Sequence, residues 1–221
     1  MRQTINRWKE LLKIRWLMLF AGASVLAVAS SLKLQAVTGR YADRTAAFPV
    51  PDLLLDRLPL VNLEWLAVWG YLFLVLAAIV AIAFLEPENL PFALMSFALF
   101  VFVRALFVTL THLAPPADAS PPDYYFRILR TLAAQNDLFF SGHTGFPFLV
   151  FLVMRQRWVR YFFLASSFVM GATVLLMHLH YSIDVFAAFF ITYTIYKISQ
   201  RLFGRWRLPP TSSLPTSQAM S

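Results

Sequence analysis

Long apolar runs alternate with short polar segments along most of the chain. A helix needs about 20 consecutive apolar residues to cross a bilayer, and six runs approach or reach that length. They predict spans at Trp16–Leu34, Leu63–Leu85, Pro91–Leu113, Phe139–Met154, Tyr161–His178 and Ser182–Gln200. The pattern therefore predicts an all-α, polytopic membrane protein with six transmembrane helices.

The segments between these runs carry turn formers and charges. Gln35–Asn62 predicts a polar, proline-containing loop with room for a short interfacial helix, and Glu86–Asn89 predicts a tight turn. After Pro115–Pro122, the segment Asp123–Ala134 predicts an amphipathic helix on the membrane surface. We therefore divide the chain into an amphipathic N-terminal segment (1–15), a six-span domain (16–200) and a tail (201–221) that is basic at first and disordered after Leu208.

The composition agrees with a membrane protein. Hydrophobic residues make up 59% and charged residues 14%, whereas soluble domains are about half apolar and about a quarter charged. Because the chain has no cysteine, disulfides, thiolate catalysis and cysteine-bound metals are excluded. The first apolar run also resembles a signal peptide ending near Ala27–Ser30, but its length favours a retained helix.

The positions of Lys and Arg predict the orientation in the membrane. One side holds twelve of them: Arg2, Arg7, Lys9, Lys13, Arg15, Arg155, Arg157, Arg160, Lys197, Arg201, Arg205 and Arg207. The other side holds six: Lys33, Arg40, Arg44, Arg57, Arg127 and Arg130. Both termini are therefore predicted to be cytoplasmic. The net charge of +8 reflects this topology, and we expect no binding to nucleic acid.

Two polar motifs lie where apolar runs meet loops. Ser141–Thr144 has the sequence Ser-Gly-His-Thr, and His180–Asp184 has the sequence His-Tyr-Ser-Ile-Asp. A histidine and a carboxylate at i and i+4 share one face of a helix. There the carboxylate fixes the tautomer and leaves the second ring nitrogen free to attack or to accept a proton. The alternative is an interfacial histidine whose hydrogen bond to Asp184 only joins two helices.

Further side chains could complete a phosphate site. The start of the fourth span favours an anion, and His143 there is suited to general acid–base catalysis. Arg104 lies inside the third span, needs a partner and has the planar guanidinium that suits phosphate. The predicted catalytic residues are His180, Asp184, His143 and Asp137, and the predicted phosphate-binding residues are Arg104, Ser141, Gly142, Thr144 and Tyr181.

Each of these assignments has a structural alternative. Ser141 could only cap the helix, Arg104 could form a structural ion pair, and Asp137 could be an ordinary loop residue. His112 and His178 end their spans and are predicted to be bystanders.

The motifs resemble those of a known family. Asn136–Thr144 and His180–Val185 are similar to the two catalytic motifs of the sphingomyelin synthase family, a branch of the type 2 phosphatidic acid phosphatase superfamily. Pro49–Asp52 resembles its proline–aspartate motif, and Arg104–Thr111 resembles its arginine-bearing helix. The resemblance covers about residues 48–200.

The resemblance implies a six-span enzyme with both termini cytosolic and with no metal or other cofactor. It implies that His180, activated by Asp184, attacks the phosphorus of a glycerophospholipid such as phosphatidylcholine or phosphatidylethanolamine. Diacylglycerol leaves, protonated by His143, and the head group passes from a phosphohistidine to ceramide or a diacylglycerol-type lipid alcohol. With water as the acceptor, the outcome is hydrolysis like that of phospholipase C.

The sequence departs from the motifs of the wider superfamily at two positions, and both indicate which branch of it the chain resembles. In the wider superfamily an arginine six residues before the second histidine clamps phosphate, and a proline precedes Ser-Gly-His. Val174 and Phe140 stand at these positions, which favours the transferase branch with Arg104 as the clamp. The first alternative is a lipid phosphate phosphatase acting on phosphatidate or undecaprenyl pyrophosphate. The second is a transporter or other non-enzymatic membrane protein, which predicts that His143 and His180 lie far apart.

The expected setting is a lipid bilayer, with the site on the periplasmic or lumenal face. A compact chain of this kind fits a bacterial inner membrane. The sequence leaves open whether the protein forms a homo-oligomer and whether choline or ethanolamine is the preferred head group.

Overall fold

The computed structural model describes residues 2–45, 48–117, 119 and 138–207. The predicted surface helix Asp123–Ala134, the candidate Asp137 and the tail beyond Leu208 lie outside these residues.

The described residues form seven α-helices, with no β-structure apart from an isolated bridge between Phe48 and Leu113. The helices are α1 (Arg2–Leu12), α2 (Arg15–Arg44), α3 (Leu66–Leu85, beginning with the π-helical turn Leu66–Gly70), α4 (Leu90–Leu110), α5 (Gly142–Val153), α6 (Arg157–Leu176) and α7 (Ser182–Phe203). The predicted all-α class is confirmed for this part of the chain.

Four helices are long and apolar enough to cross a membrane: Arg15–Arg44, Leu66–Leu85, Pro87–Leu110 and Arg157–Leu176. Helix α5 has 12 residues, which rise about 18 Å against a hydrocarbon core of about 30 Å. Helix α7 has 22 residues but carries Asp184 and Lys197 and is not among the four. The count of six spans and the cytoplasmic termini stay predictions.

Several predicted span ends differ from the helix ends. Helix α5 begins at Gly142 and not at Phe139, α6 begins at Arg157 and not at Tyr161, and α7 ends at Phe203 and not at Gln200. The ends of α2 and α4 also differ. Helix α2 continues from Leu34 to Arg44, where the sequence predicted a loop, because this polar stretch still buries small side chains while α2 packs along α4. Helix α4 ends at Leu110, not at Leu113, because Leu113 leaves the helix to pair with Phe48. In α2, the polar residues after Leu34 end the apolar run but do not end the helix.

The turn between α3 and α4 buries three polar side chains, Glu86, Glu88 and Asn89, which we call the turn network. Glu86 Oε1 accepts hydrogen bonds from the backbone N–H groups of Arg155 and Gln156, both at 2.7 Å. Its Oε2 accepts one from the side-chain amide of Asn89 at 3.1 Å. Glu86 therefore anchors the two residues that precede α6 and places a buried carboxylate near the N-terminus of that helix.

Both ends of the described part of the chain are tied to the turn network. Arg7, on α1, donates to the two oxygens of Glu88 at 2.6 and 2.7 Å. Arg207, beyond α7, donates from Nε to Asn89 Oδ1 at 2.9 Å and from its guanidinium to the backbone carbonyl of Val153. The last residue of α5 and the start of α4 are thus held at one level of the bundle.

Candidate active site

The two motif loops meet at the end of the bundle away from the turn network, which we call the histidine end. The backbone N–H of Ser141 donates to the carbonyl of Asp184 at 3.1 Å, which joins the start of α5 to the start of α7. The rings of His143 and His180 lie 6.4 Å apart between centroids and are tilted by 64°. Residues that are 37 positions apart in the sequence thus converge on one small space.

His180 and Asp184 form the predicted pair. His180 Nδ1 lies 3.3 Å from Asp184 Oδ2, and the same oxygen accepts the backbone N–H of Tyr181 at 3.0 Å. Asp184 is fully buried, and its Oδ1 has no hydrogen-bond partner among the described residues. A buried carboxylate on Nδ1 holds the proton there, so Nε2 carries the lone pair and is the nucleophilic atom.

His143 is held by helix α3. Its ring lies 4.5 Å from the ring of Tyr71 and hydrogen-bonds the backbone of Ala67. Ala67 belongs to the π-helical turn Leu66–Gly70, and such turns recur at functional sites because they break the regular pattern of backbone hydrogen bonds. Sequence reasoning missed this support, since the turn lies within an unbroken apolar run.

Arg104 reaches the histidine end from α4. Its side chain is 9% exposed, and a Cβ built on Gly142 would lie 3.2 Å from Arg104 Nε and 3.7 Å from Cζ. Only glycine therefore lets the guanidinium approach the backbone at the start of α5 without displacement. The predicted phosphate ligands Arg104 and Gly142 are in contact, beside His143.

The other predicted phosphate ligands lie in the same loops with their side chains engaged. Ser141 Oγ accepts the backbone N–H of Thr144 at 3.4 Å and the Thr144 hydroxyl at 3.3 Å, and both residues are fully buried. The Tyr181 hydroxyl donates to the carbonyl of Ala114 at 2.9 Å and accepts the N–H of Val50 at 3.1 Å. These side chains shape the two loops, and the catalytic assignment of Asp137 lies outside the described residues.

Asp52 supports the second motif from the loop after α2. Its Oδ2 accepts the backbone N–H of Ser182, the first residue of α7, at 2.6 Å, and its Oδ1 accepts those of Leu54 and Leu55 at 3.0 and 3.1 Å. Burial raises the pKa of this carboxyl, but the hydrogen bonds from Leu55, Ser182 and Leu54 outweigh it and hold the pKa below 3.8. The sequence singled out Pro49–Asp52 only through the family resemblance and gave no role to Asp52.

The two predicted bystanders differ. His112 is exposed, and its ring contacts that of Tyr41 at 5.7 Å between centroids. His178 is 7% exposed, adopts a left-handed backbone with φ 53° at the end of α6, and has no partner for Nε2 among the described residues. This conformation normally favours glycine.

Comparison with known families adds one finding. Residues 136–201 match the model described as PAP2 superfamily C-terminal. The matched segment contains His143, His180 and Asp184. No curated protein and no solved structure matches the chain.

The match supports the type 2 phosphatidic acid phosphatase superfamily and phosphatase- or phosphotransferase-type chemistry on lipids. The apolar helices and this match together indicate an integral membrane protein.

Proposed function

We propose that the protein is a membrane phosphotransferase of the sphingomyelin synthase type. It moves phosphocholine or phosphoethanolamine from a glycerophospholipid to ceramide or a similar lipid alcohol and releases diacylglycerol. The observation that carries the proposal is the 6.4 Å separation of the His143 and His180 rings, with the buried Asp184 on the second ring.

In the first step, His180 Nε2 attacks the phosphorus of the donor. The bond from phosphorus to the diacylglycerol oxygen breaks as the nitrogen–phosphorus bond forms, and His143 gives that oxygen its proton. Asp184 accepts a hydrogen bond from the Nδ1–H of His180 and offsets the positive charge that develops on the ring. The products are diacylglycerol and a phosphohistidine that carries the head group.

In the second step, His143 has lost its proton and can act as the base. It takes the hydroxyl proton of the lipid alcohol, whose oxygen attacks the phosphorus. The nitrogen–phosphorus bond breaks, and the electron pair returns to His180 Nε2. When water replaces the alcohol, the same step releases the phosphorylated head group by hydrolysis.

Arg104 and the start of α5 stabilise the phosphate in both steps. The guanidinium beside Gly142 carries a fixed positive charge next to the first amides of the helix. Donors that are fixed before the reaction stabilise charge as it develops on the phosphoryl oxygens.

The alternatives make different demands on the site. A phosphatase of the wider superfamily has a second arginine where this chain has Val174, which is fully buried and apolar. A transporter or structural protein predicts that His143 and His180 lie far apart, which the ring separation counts against. The transferase accounts for both observations.

We also propose six spans with cytoplasmic termini and the histidines on the extracytoplasmic side. The predicted charge bias of twelve to six supports this orientation. Because the chain has no cysteine, single cysteines can report it. A membrane-impermeant maleimide should label Thr45→Cys and not Lys13→Cys in intact cells, and the reverse result would contradict the orientation.

A lipid assay on the purified protein in detergent tests the reaction. Labelled phosphatidylcholine and phosphatidylethanolamine are supplied with and without ceramide, for the wild type, His180→Ala and the exposed control His112→Ala. A labelled phosphosphingolipid that requires ceramide, is lost in His180→Ala and persists in His112→Ala is the expected result.

Two other results would replace the proposal. Free phosphorylated head group without any ceramide product would identify a hydrolase. Phosphatidate is supplied in a parallel reaction. Release of inorganic phosphate from it, with no turnover of either phosphodiester, would identify a lipid phosphate phosphatase.

A further inference from the structure

An open cavity of about 570 Å³ lies at the start of α3 and is lined by Asn62, Glu64, Trp65, Val68 and Trp69. Its volume is within the range of about 300–1,000 Å³ that is usual for small-ligand sites. It combines two indole rings with one carboxylate. None of these side chains takes part in the proposed reaction.

The carboxylate of Glu64 is the unusual member of this cavity. Its Oε1 is buried and has no hydrogen-bond partner among the described residues. Asn62 Oδ1 accepts the backbone N–H of Glu64 at 3.0 Å, which ties the two residues together just before α3. A buried oxygen of a carboxylate without a donor is unfavourable, and a positive charge held beside this carboxylate would offset that cost.

The two indoles define which cation fits. Trp65 is 66% exposed and Trp69 is 52% exposed, and both line the cavity. Interfacial tryptophans are common in membrane proteins, but that role does not account for the buried oxygen of Glu64. Tryptophan faces attract organic ammonium groups, and quaternary ammonium head groups are bound in this way.

We propose that Glu64, Trp65 and Trp69 bind the ammonium group of a zwitterionic phospholipid. The ligand class is a phospholipid that carries choline or ethanolamine. If the proposed function holds, this site selects the phospholipid donor, and that consequence rests on the proposed function.

The site captures the lipid and does not take part in the chemistry. Ala67 and Tyr71 of α3 contact His143, whereas Glu64, Trp65 and Trp69 line a cavity to which neither contributes. Loss of the cavity should therefore raise KM for the donor and leave kcat unchanged.

Binding without turnover tests the proposal directly. The full-length His180→Ala protein, in a maltoside detergent, is titrated by calorimetry with dihexanoyl phosphatidylcholine, phosphatidylethanolamine and phosphatidylglycerol. The two amine lipids should bind about fivefold more tightly than phosphatidylglycerol. Glu64→Gln and Trp65→Ala should each remove this preference.

Matched controls come from the other end of the bundle. Glu10→Gln removes an exposed carboxylate, and Trp158→Ala removes a tryptophan that is 62% exposed. Both should keep the preference. Equal binding of the three lipids by the His180→Ala protein, or a preference that survives in Glu64→Gln, would overturn the proposal.

A competition experiment needs no cavity variant and so does not depend on how those variants fold. Choline chloride should displace dihexanoyl phosphatidylcholine from the same protein, while sodium chloride at equal ionic strength should not. Lack of displacement by choline would overturn the ammonium site. Since none of these measurements requires turnover, a failed transfer assay and a failed ammonium site give different results.

Discussion

The turn network and Asp184 differ in how their buried carboxylate oxygens are satisfied. In the turn network every oxygen of Glu86 and Glu88 accepts a hydrogen bond. At the histidine end Asp184 is fully buried, yet its Oδ1 has no partner among the described residues. Buried polar groups are normally satisfied, and an exception calls for an explanation. We infer that the turn network serves stability and that Asp184 serves the histidine beside it.

Substitution of Asp184 is the strongest test of this comparison. Asp184→Asn should lower turnover by about a thousandfold or more, because the amide no longer selects the Nδ1–H tautomer of His180. The thermal midpoint should change little, since the amide oxygen can still accept the N–H of Tyr181. Transfer kinetics and thermal unfolding in detergent measure the two effects. A large loss of stability with unchanged turnover would assign Asp184 to the same structural role as the turn network.

A substitution in the turn network should have the opposite effect, a loss of stability without a loss of turnover. Glu88→Gln should destabilise the fold by about 2 kcal/mol, below the value for a fully buried pair because Arg7 remains 27% exposed. Turnover per folded molecule should stay at the wild-type level. The exposed pair Lys13–Glu10 offers the control Glu10→Gln, which should leave both quantities unchanged. A fall in turnover at equal folded fraction would contradict the division between the two ends.

A smaller effect is expected at Gly142. Gly142→Ala places a Cβ 3.2 Å from Arg104 Nε, so the guanidinium must move by a few tenths of an ångström. We expect turnover to fall about tenfold, as positioned charge is lost from the transition state. Gly22→Ala is the control, because nothing lies within 4 Å of its added Cβ. Wild-type kinetics in Gly142→Ala would argue against Arg104 as the phosphate clamp.

The smallest effect depends on pH and concerns Asp52. Its folded pKa is below 3.8, so its contribution to stability is present above about pH 4 and is lost as the pH falls through the folded value. At pH 6, Asp52→Asn should lower the free energy of unfolding by about 1 kcal/mol, the value of a lost helix cap. It should therefore unfold at a lower temperature than the wild type. The difference should shrink as the pH approaches 3. A stability difference between the two proteins that is constant from pH 6 to pH 3 would show that the charge of Asp52 does not contribute to stability.

The sequence predicted the helical class, most helix positions and the contact of His180 with Asp184, because apolar runs and the His-x₃-Asp spacing are local signals. It did not predict that α2 reaches Arg44, since this depends on packing against α4. It also missed the contacts of Asp52 with Ser182 and of Ala67 with His143. Each joins residues that are more than 70 positions apart, and no local pattern encodes such a pair.

The short length of α5 sets the depth of the reaction. Helices α4 and α5 are tied to the same turn, through Asn89 and Val153, but α4 has 21 residues and α5 has 12. At about 1.5 Å per residue, α5 begins about 13 Å short of the far end of α4. The histidines therefore lie in a recess, below the level at which the longer helix ends.

Depth has a kinetic consequence for the proposed phosphohistidine. A lipid alcohol dissolved in the bilayer approaches such a recess laterally and at high local concentration. Water has to leave the bulk phase and enter an apolar layer, which is unfavourable. In the proposed reaction, the length of α5 would then affect how the intermediate partitions between the alcohol and water. Lengthening α5 by a turn would raise the histidines towards the aqueous phase and favour hydrolysis over transfer.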